Sequence, residues 1–129
     1  MAQQLVTPNL KNFLTNVPLF KGAPDRALDV AASVIQLRHY EPETIIFQEG
    51  DRGEALYILI EGMVKLSKVD LGGYEKTLSI LQPPEFFGEM ALLGNTNRSA
   101  TAISIGHIQT YLLFADDFTK LIQTYPTVS

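Results

Sequence analysis

Apolar residues recur at helical spacing in one stretch near the start of the chain. They stand at Ala27, Leu28, Ala31, Val34 and Ile35. Positions three and four apart share one face of an α-helix, so the pattern predicts an amphipathic helix from Pro24 to about Ile35. Pro24 suits the first helical turn, where its missing N–H is not needed. Asp25 lies near the positive end of the helix dipole.

Two shorter apolar segments precede this helix. Residues 10–14 predict a short helical turn, and residues 17–20 predict a docking loop with two apolar anchors. The residues before them are mostly polar or small, which is typical of a terminal tail. We therefore expect a tail at residues 1–9 and a single folded domain at residues 10–129.

From Arg38 to about Ala115 the apolar period changes to that of β-strands. Runs rich in β-branched and aromatic residues occur at 44–47, 55–60, 63–66, 76–81, 100–105 and 109–114. Turn signals rich in Gly, Pro and Asp separate them, and short strands at such regular spacing predict an antiparallel sandwich or barrel. We expect hairpin turns at Gly62 and at Gly72–Gly73, because glycine readily adopts positive φ.

Two more helices are predicted in the second half of the chain. Residues 89–93 are good helix formers flanked by glycines, which leaves room for one or two turns between two strands. Residues 116–125 predict a terminal helix. Asp116 is expected to cap its N-terminus, and Pro126 follows its end.

The composition is globular, with 46% hydrophobic and 19% charged residues in a chain of 129. A chain of this length folds as one domain and needs no disulfide or metal for stability. It contains no cysteine, which excludes a disulfide framework, a thiolate metal site and a cysteine nucleophile. The lack of cysteine fits a cytoplasmic location, which we expect.

Charge and hydropathy narrow the class of partner. The formal net charge is −4, and the basic stripe typical of nucleic-acid binders is missing, so we expect no nucleic-acid binding by this chain alone. The N-terminus lacks the basic start and apolar run of a signal peptide. The apolar runs are far shorter than the ~20 residues of a membrane helix, so we expect no membrane span.

Residues 87–102 carry the candidate chemistry. Gly88 leads into the short predicted helix, whose first backbone N–H groups have no intrahelical partner and favour an anion. Arg98 stands at the start of the next strand, where its guanidinium can face those N–H groups and clamp a phosphate. Glu89 would repel an isolated phosphate, but it suits a ligand that presents hydroxyls beside its phosphate, as a ribose does.

This segment resembles the phosphate-binding cassette of cyclic nucleotide-binding domains, such as the sensor domains of catabolite activator-like proteins. Residues 20–68 are similar to the early strands of that family, including the stretches 47–51 and 57–62, and the resemblance covers residues 10–126. It implies a mainly β fold: an eight-stranded, jelly-roll-like double-stranded β-helix barrel with flanking short α-helices. Pro83-Pro84-Glu85 departs from the family, which often has Pro-Gly at that turn.

The resemblance also implies a role for each cassette residue. Glu89 would accept a hydrogen bond from the ribose 2′-hydroxyl, and Arg98 would pair with the cyclic phosphate. The backbone amides of Met90, Ala91 and Ser99, and the Ser99 hydroxyl, would meet phosphate or sugar oxygens.

Three further residues are assigned by the same resemblance. Gly88 would let the backbone approach the sugar. Ser79 and Leu66 would face the base from two strands of the pocket, an assignment that depends on strand register.

The function implied is that of a regulatory sensor, not an enzyme. It would bind a cyclic nucleotide reversibly, without a metal, and transmit the bound state to adjoining helices or a partner. Ser99 after the arginine favours cAMP over cGMP, since many cGMP-selective members carry Thr there. Family members usually continue into a longer helix that caps the base, so we expect a homodimer through a C-terminal helix beyond this chain.

Two alternatives remain open. The first is a degenerate member that serves as a protein-interaction module without nucleotide binding, although Glu89 and Arg98 are both intact. The second is a metal-dependent cupin-like enzyme on a similar barrel. His39 and His107 are the only histidines, and two isolated histidines do not form the ligand cluster that such an enzyme needs.

Overall fold

The computed structural model describes residues 8–128 of the chain. The elements in order are α1 (Pro8–Thr15), a 3-10 helix (Pro18–Phe20), α2 (Asp25–Val34), β1 (Gln36–Tyr40), β2 (Ile45–Phe47), β3 (Ala55–Val69), β4 (Glu75–Leu81), β5 (Phe86–Phe87), α3 (Glu89–Leu93), β6 (Thr101–Phe114) and α4 (Ala115–Thr124). The mainly β class with flanking short helices is as predicted. Among these described residues, no helix has the length and apolar character needed to cross a membrane.

Two long strands, β3 and β6, form the centre of the β-structure. They pair antiparallel from Ala55–Phe114 at one end to Ser67–Thr101 at the other. The first half of β3 also pairs with β5, and its second half pairs with β4. In β6 the first half pairs with β2 and the second half with β1. Every pairing is antiparallel, as the sequence predicted.

Each long strand bends at a glycine. The register between β3 and β6 shifts between Leu59 and Met63, where Gly62 and Gly106 have φ values of 88° and 70°. A Cβ on Gly62 would lie 2.5 Å from the His107 carbonyl oxygen. The prediction of a hairpin turn at Gly62 was therefore wrong: the positive φ is there, but it forms a bulge in a continuous strand. Counting each half of β3 and β6 separately gives the eight predicted strand segments.

Successive residues of β3 enter two different hydrophobic clusters. Leu56 and Ile58 pack with the helices in one cluster, and Tyr57 and Leu59 pack inside the β-structure in the other. All four are buried. Side chains alternate between the faces of a strand, so burial on both faces explains why this run is apolar throughout.

The observed helices match the predicted ones, with three corrections. Pro24 is the N-cap of α2 and not part of its first turn, and residues 18–20 of the predicted docking loop form a 3-10 helix. The two apolar anchors before α2 are Leu19 and Phe20, which are 1% and 2% exposed. The prediction that Asp116 caps the last helix was wrong: α4 begins at Ala115, and its N-cap is Phe114, which makes no side-chain cap bond. The Ala115 amide donates to the Glu54 carbonyl at 2.9 Å, so β6 runs directly into the helix and Asp116 lies in its first turn.

Two strands were not predicted. β1 is polar and mostly exposed, so it lacks the apolar alternation that identifies a strand, and its pairing with β6 holds it in place. β5 is only two residues long. At the N-terminus, α1 begins at Pro8, two residues before the predicted domain start, and residues 1–7 of the predicted tail lie outside the described residues.

Candidate functional site

A cavity of about 190 Å³ opens between α3, the loop after it and the inner face of the β-structure. Its lining residues are Phe47, Leu66, Leu81, Phe86, Phe87, Gly88, Glu89, Met90, Ala91, Arg98, Ser99 and Ala100. All of the sequence-predicted site residues are among them except Ser79. Ser79 pairs with Leu66 across β3 and β4, so it lies beside the cavity wall without being part of it.

Arg98 is the central polar group of this cavity. It is only 4% exposed. Its Nη1 donates to the Gly88 carbonyl and its Nη2 to the Ala55 carbonyl, both at 2.6 Å. Its Nε is buried and has no hydrogen-bond partner among residues 8–128. The side chain is thus anchored at two points, and its Nε–H is a buried donor without a partner among these residues.

The backbone of Arg98 is held by the loop that follows β2. The Arg98 amide donates to the Asp51 carbonyl at 2.7 Å, and the Gly50 amide donates to the Arg98 carbonyl at 2.8 Å. This loop is itself a tight turn, because the Asp51 carboxylate accepts from the Gln48 amide at 2.9 Å. Residues 48–51, read from the sequence only as part of a turn, therefore position the arginine.

Aromatic rings surround the guanidinium. Its Cζ lies 4.1 Å from the ring centroid of Phe47 and 5.8 Å from that of Tyr57. Phe47 in turn contacts Phe87 at a centroid distance of 6.0 Å, and Tyr57 stacks on Phe87 at 5.1 Å. The cavity wall around the cation is consequently apolar and polarisable.

Burial has an electrostatic cost for Arg98. Desolvation lowers the pKa of Arg98 from its usual value, and the nearby Tyr57, Asp51 and Glu54 oppose that change. Burial likewise raises the pKa of Tyr57. No carboxylate among the described residues forms a salt bridge with Arg98. A buried cation is costly without a counter-charge, so this cavity favours an anion.

Gly88 is required at its position for two reasons. It has φ 88° as the N-cap residue of α3, a conformation that L-residues with a Cβ adopt at a cost. A Cβ there would also lie 2.8 Å from Nη1 of Arg98. The glycine therefore makes the turn into α3 and leaves space for the guanidinium.

Three residues of α3, Glu89, Met90 and Ala91, line the same cavity. Glu89 is the first residue of the helix and is partly buried. Ala91 is 6% exposed, and a Cβ on Gly53 would lie 2.6 Å from the Ala91 Cβ. The loop before β3 therefore packs closely against α3, and this contact sets the distance between α3 and the β-structure.

Sequence reasoning missed Phe47 and the Ala55 carbonyl, which both contact Arg98. A main-chain carbonyl has no sequence signal. Phe47 has a weak one, since it is an aromatic residue directly before the turn at 48–51. Phe86 and Phe87 pack in the clusters and also line the cavity.

Within residues 8–128, no group of three or more His, Asp or Glu side chains is placed to hold a metal ion. His39 and His107 are both exposed. The nearest acidic contact of His107 is a Glu41 carboxylate oxygen 3.6 Å from its Nδ1, and both side chains are on the surface.

A family model for the cyclic nucleotide-binding domain matches residues 37–125 of this chain. Among characterised proteins, the chain is 42% identical over 112 residues to a cyclic AMP receptor protein of Thermus thermophilus. That match covers 87% of the chain and 52% of the receptor protein.

One further relative and one solved structure are also similar to the chain. The chain is 31% identical over 119 residues to the cGMP-dependent protein kinase egl-4 of Caenorhabditis briggsae, a match that covers 91% of the chain and 16% of the kinase. A solved structure of the regulatory domain of Toxoplasma gondii PKA with cAMP superposes with a TM-score of 0.85 at 30% identity, over 92% of the chain and 46% of that structure. The chain thus spans about half, or less, of the relatives it matches.

Proposed function

Because the chain belongs to the cyclic nucleotide-binding domain family, we propose that it is a regulatory sensor that reversibly binds a cyclic nucleotide, cAMP in preference to cGMP. One observation carries the proposal. Arg98 is a buried cation at the cavity wall whose Nε has no partner among the described residues. An anionic ligand supplies the missing acceptor and the missing counter-charge in one step.

The cyclic phosphate would bind at Arg98. Two carbonyls already occupy one N–H each of Nη1 and Nη2, so Nε–H and the second N–H of each of these nitrogens would be the donors that meet the ligand. Charge-assisted hydrogen bonds to phosphate are stronger than neutral ones, more so in an apolar surrounding. The amides of Met90, Ala91 and Ser99, together with the Ser99 hydroxyl, would complete the phosphate and sugar contacts.

The ribose would bind at Glu89. Its carboxylate lies on the cavity wall at the start of α3, next to the residue whose carbonyl anchors the guanidinium. A carboxylate accepts hydrogen bonds only, so it selects a ligand with a hydroxyl beside the phosphate. Gly88 carries no side chain that would keep the sugar away.

The base would extend towards Leu66 and Ser79 on the paired strands β3 and β4. Leu66 lines the cavity and offers an apolar surface. Ser99 in place of a threonine supports cAMP over cGMP, as does the name of the Thermus receptor protein. The Caenorhabditis kinase is named for cGMP, so the choice of base needs a direct titration.

The bound state would be transmitted through α3. Glu89 and Ala91 would be held by the ligand on the inner side of this helix, while Met90 and Leu93 are 68% and 49% exposed. Ligand binding would therefore set the position of an apolar surface that an adjoining helix or a partner can recognise. A ligand that binds one of two arrangements better shifts the population towards it.

The whole protein would act as a cytoplasmic homodimer through a C-terminal helix beyond this chain. The net charge of −4 supports a role in which these residues do not contact nucleic acid themselves. No metal is needed for the proposed contacts. The open cavity of about 190 Å³ beside Arg98 argues against the alternative of an interaction module that binds no nucleotide.

The deciding experiment is calorimetric titration of the wild type, Arg98→Ala and Arg26→Ala with cAMP and cGMP. Losing one partner of a buried charge pair costs about 2–5 kcal/mol, so we expect Arg98→Ala to weaken binding at least ~30-fold. Arg26 is exposed on α2, and its replacement should leave the affinity unchanged. Wild-type protein that binds neither nucleotide would refute the proposal and favour the interaction module.

A further inference from the structure

Phe47 contacts the guanidinium of Arg98 face on. It is the last residue of β2, and its ring centroid lies 4.1 Å from Cζ of Arg98. A guanidinium within about 6 Å of a ring centroid is attracted by the quadrupole of the ring, and Arg stacks in this way more often than Lys. The attraction grows when the pair is removed from water; here Arg98 is buried and Phe47 is partly buried.

The ring completes the set of contacts that fix the guanidinium plane. The Gly88 and Ala55 carbonyls hold one N–H each of Nη1 and Nη2, and Cζ lies over the ring of Phe47. Nε–H is buried and has no partner among the described residues. Without the ring, the two hydrogen bonds would still allow the plane to rotate about the line that joins them.

Phe47 and Arg98 belong to one rigid unit. The turn after Phe47 is bonded to the Arg98 backbone through Gly50 and Asp51. Phe47 is also paired with Ala102 on β6 and packed against two further rings at 5.6 and 6.0 Å. The ring therefore cannot leave the guanidinium without a rearrangement of the whole turn.

We propose that Phe47 is a positioning residue of the phosphate site, whose ring holds the Arg98 guanidinium so that Nε–H faces the bound phosphate. The inference rests on the proposed function, because it assigns a role within the same site. Phe47 acts through Arg98 and not on the base, although its ring also lines the cavity. If Phe47 acted on the base, its loss would weaken cAMP but not a ligand without a base. If Phe47 acts through Arg98, its loss weakens both ligands.

The test uses two ligands, cAMP and ribose 3′,5′-cyclic phosphate, which lacks the base. Both are titrated calorimetrically into the wild type, Phe47→Leu, Phe47→Tyr and Phe114→Leu. Phe114 is partly buried against the same cluster but does not line the cavity. Circular dichroism of each variant checks that the fold is kept.

We expect Phe47→Leu to weaken both ligands by about 3- to 30-fold, the range of a desolvated cation–ring contact. Phe47→Tyr keeps the ring and should restore the affinity to within about threefold of the wild type. Phe114→Leu should bind as the wild type does. In an Arg98→Gln background, Phe47→Leu should change the affinity by less than about twofold, because the contact it removes is already absent.

Three outcomes would overturn the inference. They are an unchanged affinity in Phe47→Leu, a loss that affects cAMP but not the baseless ligand, and an equal loss in the Arg98→Gln background. If the wild type binds cAMP and Arg98→Ala does not, these outcomes reject the role of Phe47 alone. If the wild type binds no ligand, the proposed function fails first and the role of Phe47 falls with it.

Discussion

Alanine at position 88 should disturb the site in two separable ways. The residue has φ 88°, and a left-handed conformation costs an L-residue about 1–2 kcal/mol. The added Cβ would also lie 2.8 Å from Nη1 of Arg98 and 3.4 Å from Cδ1 of Tyr57. The first effect acts on the free energy of unfolding, and the second acts on the position of the guanidinium.

The second effect can be given a magnitude. A carbon atom settles at about 3.5–4.0 Å from a non-bonded neighbour, so the guanidinium of Arg98 would have to move by roughly half an ångström or more. That movement strains its 2.6 Å bond to the Gly88 carbonyl, and a hydrogen bond to a charged group contributes about 1.5–3 kcal/mol. We expect Gly88→Ala to lower the free energy of unfolding by about 2.5–5 kcal/mol, the sum of the two ranges.

The chain offers a matched control in Gly73. It has φ 83°, but a Cβ there would meet nothing within 4 Å. It lies in the turn between β3 and β4, where its amide donates to the Asp70 carbonyl at 3.0 Å. Gly73→Ala therefore carries the backbone strain without the steric contact, and should cost only about 1–2 kcal/mol.

Urea unfolding without ligand and calorimetric titration with cAMP separate the two effects. Gly88→Ala should weaken cAMP at least about tenfold, because a misplaced guanidinium loses at least one charge-assisted bond to phosphate. Gly73→Ala should bind cAMP within about twofold of the wild type. Equal stability losses in the two variants, together with unchanged affinity in Gly88→Ala, would refute the idea that the missing side chain makes room for Arg98.

Two other substitutions test the frame around the site. Gly53→Ala would place a Cβ 2.6 Å from that of Ala91, so α3 should be pushed outwards. We expect the free energy of unfolding to fall by about 1–3 kcal/mol and the affinity for cAMP to weaken several-fold. A titration that finds the wild-type affinity would contradict the close contact. Ser104 is 1% exposed, accepts from the Thr44 amide at 2.8 Å and donates to the Glu41 carbonyl at 2.7 Å. Ser104→Ala should lower the free energy of unfolding in urea by about 1–3 kcal/mol and leave cAMP binding unchanged. A large change in affinity would contradict the view that Ser104 stabilises the fold without affecting the site.

The helices and most strands followed from short-range patterns. The helical spacing before Ile35 and the apolar run at 55–60 correspond to α2 and to the first half of β3. β1 was not foreseen, because it is mostly exposed and Leu37 is its only aliphatic residue, so it shows no apolar alternation. Its strand conformation comes from hydrogen bonds to β6, about 70 residues later in the chain.

Glycine positions were predicted more reliably than the structures they form. Gly62 and Gly73 have positive φ, as their sequence context indicated, whereas Gly72, expected in the same turn, does not. Gly62 nevertheless lies in a bulge and not in a hairpin turn. A single residue can set its own φ, but whether the chain reverses there depends on which strand its neighbours pair with.

The cassette spacing determined the candidate site nearly completely. Gly88, Glu89 and Arg98 all line one cavity, because a glycine, a short helix and the loop after it lie close together in the chain. The prediction that Arg98 stands at the start of a strand was wrong, since β6 begins only at Thr101. Ser79 was assigned by strand register, and it lies beside the cavity wall. Register depends on long-range pairing, and the bulge between Leu66 and Ser67 shifts it here.

By itself, the sequence determined the class of fold, the order of most elements and the residues that meet at the cavity, since periodicity and spacing are properties of short stretches. Only the tertiary structure decided how Arg98 is held: by the Ala55 carbonyl, by the ring of Phe47 and by the turn at Gly50 and Asp51. These groups lie about 40 to 50 residues before Arg98 in the chain. Contacts across such distances form only when the β-structure pairs and its core packs, and they leave Nε of the buried guanidinium without a partner among the described residues.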